Sequence, residues 1–212
     1  MSAPRFDAAF RARLLDLLVW RRDVRMFRTD PLPPGALDSL IEVAALAPSV
    51  GLSQPWRFVT VEDPQRRAEV RACFAASNRD ALERQAPDRA ASYSRLKLAG
   101  LDDAPAHLAV FADRTTPQGH GLGRLTMPET IDYSVVMAIH TLWLAARAEG
   151  IGLGWVSILD PARMADILDV PAHWRFIGYF CIGYPAQESD TPQLEHLAWE
   201  RRRSVLSTIL RR

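Results

Sequence analysis

Between residues 131 and 146 the side chains Ile131, Val135, Ile139, Leu142, Trp143 and Ala146 recur every three or four positions, and Gly150 closes the run. That spacing puts all of them on one stripe of a helix. So apolar a stripe must be covered, and the pattern predicts a long central core helix stopped by a glycine that accepts the left-handed turn at a helix end. A strand of unusual composition follows, Gly152-Leu153-Gly154-Trp155-Val156-Ser157-Ile158. Glycines inside a strand leave side chains out where a ligand or a second backbone must come close.

The remaining segments alternate in type. Asp7 is an N-cap for a helix carrying Phe10, Leu14, Leu17 and Leu18 to about Trp20, and Leu37, Leu40, Ile41 and Ala44 form one face of a second helix that Pro48 stops. Residues 57–61 read as a strand, and Asp63-Pro64 opens a third helix through Val70 and Phe74. Further strands are expected at 106–112 and 175–182, with a short helix from Asp160-Pro161 between them. Alternating helices and strands indicate an α/β or α+β sheet sandwiched by helices, within one domain spanning 1–212. Residues 78–101 are charged and aperiodic, which fits a lid over a pocket and equally a solvated helical hairpin. The tail, 186–212, regains apolar character only at Val205-Leu206 and Ile209-Leu210, as expected of a segment packing on a partner chain.

Composition removes several function classes. A net charge of +1 lacks the basic excess of a general nucleic-acid binder, and no run approaches the roughly 18 apolar residues of a membrane helix. Residues 1–7 have no apolar core of signal-peptide type, and the two cysteines, Cys73 and Cys181, both lie in apolar segments. Buried free thiols and a cytoplasmic setting are the expectation. The five histidines are scattered without metal-ligand spacing, so no metal is expected. Ser157 lies in Trp-Val-Ser-Ile rather than a G-x-S-x-G elbow. Gly119, Gly121 and Gly123 do not open a helix after a strand in dinucleotide-binding spacing.

What remains is an anion seat. Arg21-Arg22-Asp23-Val24-Arg25 gathers three guanidinium groups around one carboxylate at the end of the first helix. Guanidinium matches phosphate and carboxylate oxygens bidentately, although the same residues also fit a solvated basic turn with an internal ion pair. The loop Ala47-Pro48-Ser49-Val50-Gly51-Leu52-Ser53-Gln54-Pro55-Trp56 can bring backbone and amide groups against a flat polar ligand, or serve as an ordinary connector. Together with the glycine-bearing strand, these elements suit a phosphorylated, planar, hydrogen-bond-rich ligand, conditions that flavin mononucleotide (FMN) meets.

The order Arg-Arg-Asp-Val-Arg, then Ala-Pro-Ser-Val-Gly-x-x-Gln-Pro-Trp-x-Phe-Val, then Leu-Ala-Ala-Arg-Ala-Glu-Gly-x-Gly-x-Gly-Trp-Val-Ser-Ile resembles the nitroreductase-type flavoprotein superfamily over about residues 15–203. The resemblance implies an α+β fold with a central, mostly antiparallel sheet flanked by helices. It also implies a homodimer with FMN at the subunit interface and the C-terminal tail extending over the partner. Asp23, where most members carry a small hydroxyl residue, and Ser157 in Gly-Trp-Val-Ser are similar to the branch that consumes its flavin. In that branch reduced FMN is the substrate, and O2 fragments it to 5,6-dimethylbenzimidazole, the lower ligand of cobalamin, and erythrose 4-phosphate. The implied catalytic residues are Asp23, a general base or proton shuttle at the ribityl side, and Ser157. A carboxylate among arginines is expected to stay ionised. Flavin contacts are expected from Arg21, Arg22, Asp23, Val24, Arg25, Ser49, Gly51, Gln54 and Ser157. Arg202 or Arg203 is a further phosphate ligand, and Arg89 and Leu98 belong to the lid. A separate flavin reductase would supply the reduced substrate. The competing readings are an FMN-dependent NAD(P)H reductase of nitro compounds, quinones or halogenated phenols, and a flavin-sequestering protein without catalysis.

Overall fold

A computed structural model describes residues 3–86, 89, 93 and 99–212. Helix α1 (Ala8–Trp20) begins where expected, with the Asp7 carboxylate accepting the Phe10 N–H at 2.7 Å. Its apolar residues behave differently from those of an ordinary amphipathic helix. None is buried: Phe10 remains 45 % and Leu15 63 % exposed, so the described residues leave most of this element's apolar surface open. Helix α2 (Ala36–Ala44) ends in a turn ahead of Pro48, and a single 3-10 turn at Val50–Leu52 leads into strand β1 (Trp56–Thr60).

Helix α3 (Pro64–Glu83) is capped by Asp63 as read. It runs further than its first apolar residues imply, so residues 78–83 of the 78–101 stretch are helix. Helix α4 (Gly100–Asp103) and strand β2 (Ala106–Asp113) follow; the long apolar stripe then forms helix α5 (Thr130–Ala148). Strand β3 (Gly152–Val156), helix α6 (Pro161–Leu168), strand β4 (Trp174–Gly183) and helix α7 (Gln193–His196) complete the described elements, with a 3-10 turn at Val205–Thr208 in the tail.

The sheet is antiparallel throughout, in the order β1-β2-β4-β3. Both faces are covered, which is why β2 reads as a continuous apolar run. Leu108, Val110, Ala112, Phe180 and Ile182 pack toward α2 and α5, where Ile131, Val135, Ile139, Leu142, Trp143 and Ala146 are all buried as the stripe requires. Ala109, Phe111, Tyr179 and Cys181 point the other way, toward Val70 and Cys73 of α3 and Met164, Ile167 and Leu168 of α6. Among the described residues no helix is long and apolar enough to cross a membrane.

Candidate active site

The segment leaving α1 crosses directly onto β3. The Val24 N–H donates to the Leu153 carbonyl at 3.1 Å, and the Trp155 N–H donates to Asp23 Oδ1 at 2.9 Å, so the carboxylate caps the open edge of the sheet. The strand's glycines serve this crossing. A Cβ on Gly154 would lie 2.1 Å from the Val24 carbonyl oxygen, and one on Gly152 would lie 2.7 Å from the Val24 side chain. Close approach of a second backbone to the glycine-bearing strand is realised here.

The arginines are held at their bases. Trp143 of α5 donates its indole N–H to the Arg22 carbonyl at 3.0 Å, and its ring lies 4.9 Å beneath the Arg21 guanidinium. Arg25 Nε stands 3.6 Å from Asp23 Oδ2. Arg22 reaches back to the Val19 carbonyl through one terminal nitrogen, while its buried Nε has no partner among the described residues. Burial lowers the pKa of both Arg21 and Arg22 from the ordinary arginine value; the charge of Arg202 pushes each the same way, and Asp23 opposes it at Arg21. Crowded cations with an orphaned donor are what an incoming anion relieves.

Two adjoining clefts open here. One, of about 520 Å³, is lined by Arg22, Asp23, Arg25 and Met26 on one side and by Ser189, Thr191, Gln193 and His196 of the tail on the other. Its volume lies within the roughly 300–1,000 Å³ range of small-molecule sites. The second, about 230 Å³, brings Arg202 to Arg21, Arg22 and Arg25. Arg203 lines neither cleft. Arg89 stacks on Trp199 of the tail at 5.5 Å, and Leu98 lies outside the described residues.

Asp23 departs from the expectation of a firmly ionised acid. Burial raises its pKa above the ordinary carboxylate value, and the Trp155 N–H, Arg25 and Arg21 offset this only in part. A carboxylate whose neutral form is favoured in this way gives up its proton less readily than an exposed one, a bias that suits a proton-transfer group. Ser157 follows Val156 at the end of β3, exposed and two residues beyond the amide that Asp23 caps.

The loop carrying Ser49, Gly51 and Gln54 is elsewhere. The Val50 N–H donates to Ser134 Oγ at the start of α5, nine residues and half a turn round the helix from Trp143. Along the sheet, Trp56 aligns through Ala112 with Arg175, whereas Asp23 aligns through Leu153 with Ile182. Rises of about 1.5 Å per helical residue and about 3.3 Å per strand residue, with strands about 4.8 Å apart, put the loop roughly 20–30 Å from Asp23. One chain brings residues 21–25 and 202 together, while Ser157 lines neither cleft and 49–54 stand at the opposite corner.

Trp143, whose stripe position marks it only as core, and the tail wall join the site without a motif to announce them. An indole N–H in a core helix needs an acceptor, and that was the available signal for Trp143; Ser189, Gln193 and His196 carried none.

The nitroreductase family model matches residues 18–184, spanning the arginine segment, the sheet and both its helical layers. The chain belongs to the nitroreductase family. Among its relatives in that family is 5,6-dimethylbenzimidazole synthase of Rhodospirillum rubrum, 55% identical over 202 residues, 95% of this chain and 96% of the relative. The synthase of the same name from Rhodobacter capsulatus is 48% identical over 92% of this chain and 94% of its own length. A nitroreductase-fold structure, iodotyrosine deiodinase bound to FMN and 3-iodo-L-tyrosine, superposes with a TM-score of 0.71 at 26% identity, covering 83% of this chain and 91% of that one.

Proposed function

We propose that the chain is a cytoplasmic 5,6-dimethylbenzimidazole synthase that takes reduced FMN and O2 as substrates and releases 5,6-dimethylbenzimidazole and erythrose 4-phosphate. The observation that carries this reading is Asp23, a partly desolvated carboxylate fixed by the Trp155 amide on the floor of an arginine-lined cleft. Relatives bearing the synthase name across nearly the whole chain support it, and two free, buried cysteines agree with a reducing compartment.

The residues fit a flavin phosphate. Arg21, Arg22, Arg25 and Arg202 supply the cationic wall, and the Arg22 Nε, unpartnered among the described residues, supplies a donor that a phosphate oxygen would satisfy. Bound there, reduced flavin supplies the electrons that O2 accepts. Asp23 moves protons at the ribityl end, held in place by the amide on one oxygen and Arg25 on the other. Ser157, at the end of the same strand, hydrogen-bonds ring or ribityl oxygens. A second copy of the chain contributes Ser49, Gly51 and Gln54, because no single copy brings them to Asp23. The uncovered apolar side chains of α1, together with Tyr133, Val136 and Met137 on the outer side of α5, supply a face for that copy. The tail closes the cleft, with Arg89 packed on it, and a separate reductase delivers the flavin.

Incubation with reduced FMN in air, followed by chromatography, tests the reading: benzimidazole appears in proportion to flavin lost. A parallel incubation with NADPH and a nitroaromatic separates the reductase alternative, in which NADPH is oxidised and flavin survives. Neither product would leave a flavin-sequestering protein.

A further inference from the structure

The loop at 50–54 is held in a conformation that side chains avoid. Gly51, Leu52 and Gln54 have φ of 57°, 54° and 41°, and left-handed backbone at non-glycine residues persists only where surroundings enforce it. Here the enforcement comes from the loop at 113–128. A Cβ on Gly119 would lie 2.6 Å from the Gly51 carbonyl oxygen, so the two loops are in direct backbone contact. The side chain of Gln118 then donates twice through one nitrogen, to the Leu52 carbonyl at 2.8 Å and to the side-chain oxygen of Gln54 at 3.0 Å.

Those two bonds fix a polarity. A main-chain carbonyl only accepts, so the Gln118 atom facing Leu52 must be its NH2 group. The same NH2 meets the Gln54 amide, and only the oxygen of that amide can receive it. Gln54 therefore turns its own NH2 away from Gln118, and among the described residues that NH2 has no acceptor.

We propose that Gln118 is a positioning residue that sets the amide of Gln54, so that the 49–54 loop offers its ligand a hydrogen-bond donor. The ligand edge it selects is an acceptor, a carbonyl oxygen or unprotonated ring nitrogen of a planar heterocycle. This rests on the reading above that the loop meets the flavin. The polarity itself is testable without any ligand.

Three variants separate polarity from mere packing. Gln118→Lys retains a donor toward both oxygens, Gln118→Ala removes it, and Gln118→Glu replaces it with an acceptor that draws the Gln54 NH2 inward and turns its oxygen out. In ligand-free protein, the Gln54 side-chain amide resonances in ¹⁵N NMR should hold their position in Gln118→Lys, average in Gln118→Ala and shift to a new hydrogen-bonded position in Gln118→Glu. In FMN titrations Gln118→Ala should weaken binding about three- to tenfold, the worth of one neutral hydrogen bond, and Gln118→Glu by about tenfold or more, with Gln118→Lys close to wild type. Turnover should show the loss in KM rather than kcat. Indistinguishable Gln54 resonances across the series would overturn the proposal, as would equal FMN affinity of the Lys and Glu variants. If the resonances follow the series while wild-type protein makes no benzimidazole, the function assigned above fails and the positioning role of Gln118 stands.

Discussion

The Trp155 main-chain N–H donates to Asp23 Oδ1 at 2.9 Å, so one carboxylate both caps an open sheet edge and faces the cleft. Asparagine keeps the accepting oxygen and discards the titration. Asp23→Asn should therefore fold and bind FMN while forming no benzimidazole from reduced FMN in air; chromatography checks it, and undiminished yield would remove Asp23 from the mechanism.

The same residue has a pH signature in stability. Its folded pKa is raised, chiefly by burial, so its contribution is most favourable below the unfolded value of about 3.9 and is lost as pH rises through the folded value. Without ligand, Asp23→Asn should thus be more stable than wild type at neutral pH, by a margin that closes as the solution is acidified. Urea midpoints from about pH 4 to 8 measure the difference.

His107 produces the opposite trend. It is buried beside Tyr179, Nδ1 to hydroxyl 2.8 Å, and burial with the Arg67 charge lowers its pKa to about 4. The fold holds it neutral, so its contribution is intact above the unfolded value of about 6.5 and is lost as pH falls toward about 4. At about 1.4 kcal/mol per pKa unit, wild type should lose roughly 3 kcal/mol across that window that His107→Gln does not. Parallel urea curves at its two ends provide the measurement.

At Gly154, a methyl group would strike the Val24 carbonyl, and main chain cannot swing aside as a flexible side chain can. Gly154→Ala should cost about 2 kcal/mol or more by overpacking and should weaken FMN binding by pulling Val24 and Asp23 off β3. Denaturation and flavin titration test the two effects separately.

Arg202 and Arg203 are adjacent in sequence and unequal in place, since only Arg202 lines the cleft with Arg21, Arg22 and Arg25. Arg202→Ala should weaken FMN about ten- to a hundredfold, the range of a charge-assisted contact, and leave riboflavin, which lacks phosphate, nearly unaffected. Arg203→Ala should alter neither titration by more than about twofold.

What the sequence disclosed follows from how local each cause is. The stripe from Ile131 to Ala146 declares its own burial, because helical spacing and apolarity are both written within three turns or more of one helix. Asp7, Asp63 and Asp160 declare helix starts for the same reason. The environment of Asp23 was half legible. Its arginine neighbours are adjacent in the chain, but the burial that outweighs them is a property of the folded surroundings, and the Trp155 amide that partly offsets it lies more than a hundred residues away. The α1 stripe shows a helix without showing what covers it. The tail wall of Ser189, Gln193 and His196 has no period to read, and the polarity of Gln54 depends on Gln118, which distance along the chain conceals.

Because Asp23 and Gln54 occupy opposite corners of one polypeptide, the paired assembly proposed above would send a lesion at either into a different cavity. Co-expressing an Asp23→Asn chain with a Gln54→Ala chain would gather both defects in one cavity of each mixed pair and leave the other whole. Two impaired variants of this chain would then restore one whole cavity in each mixed pair.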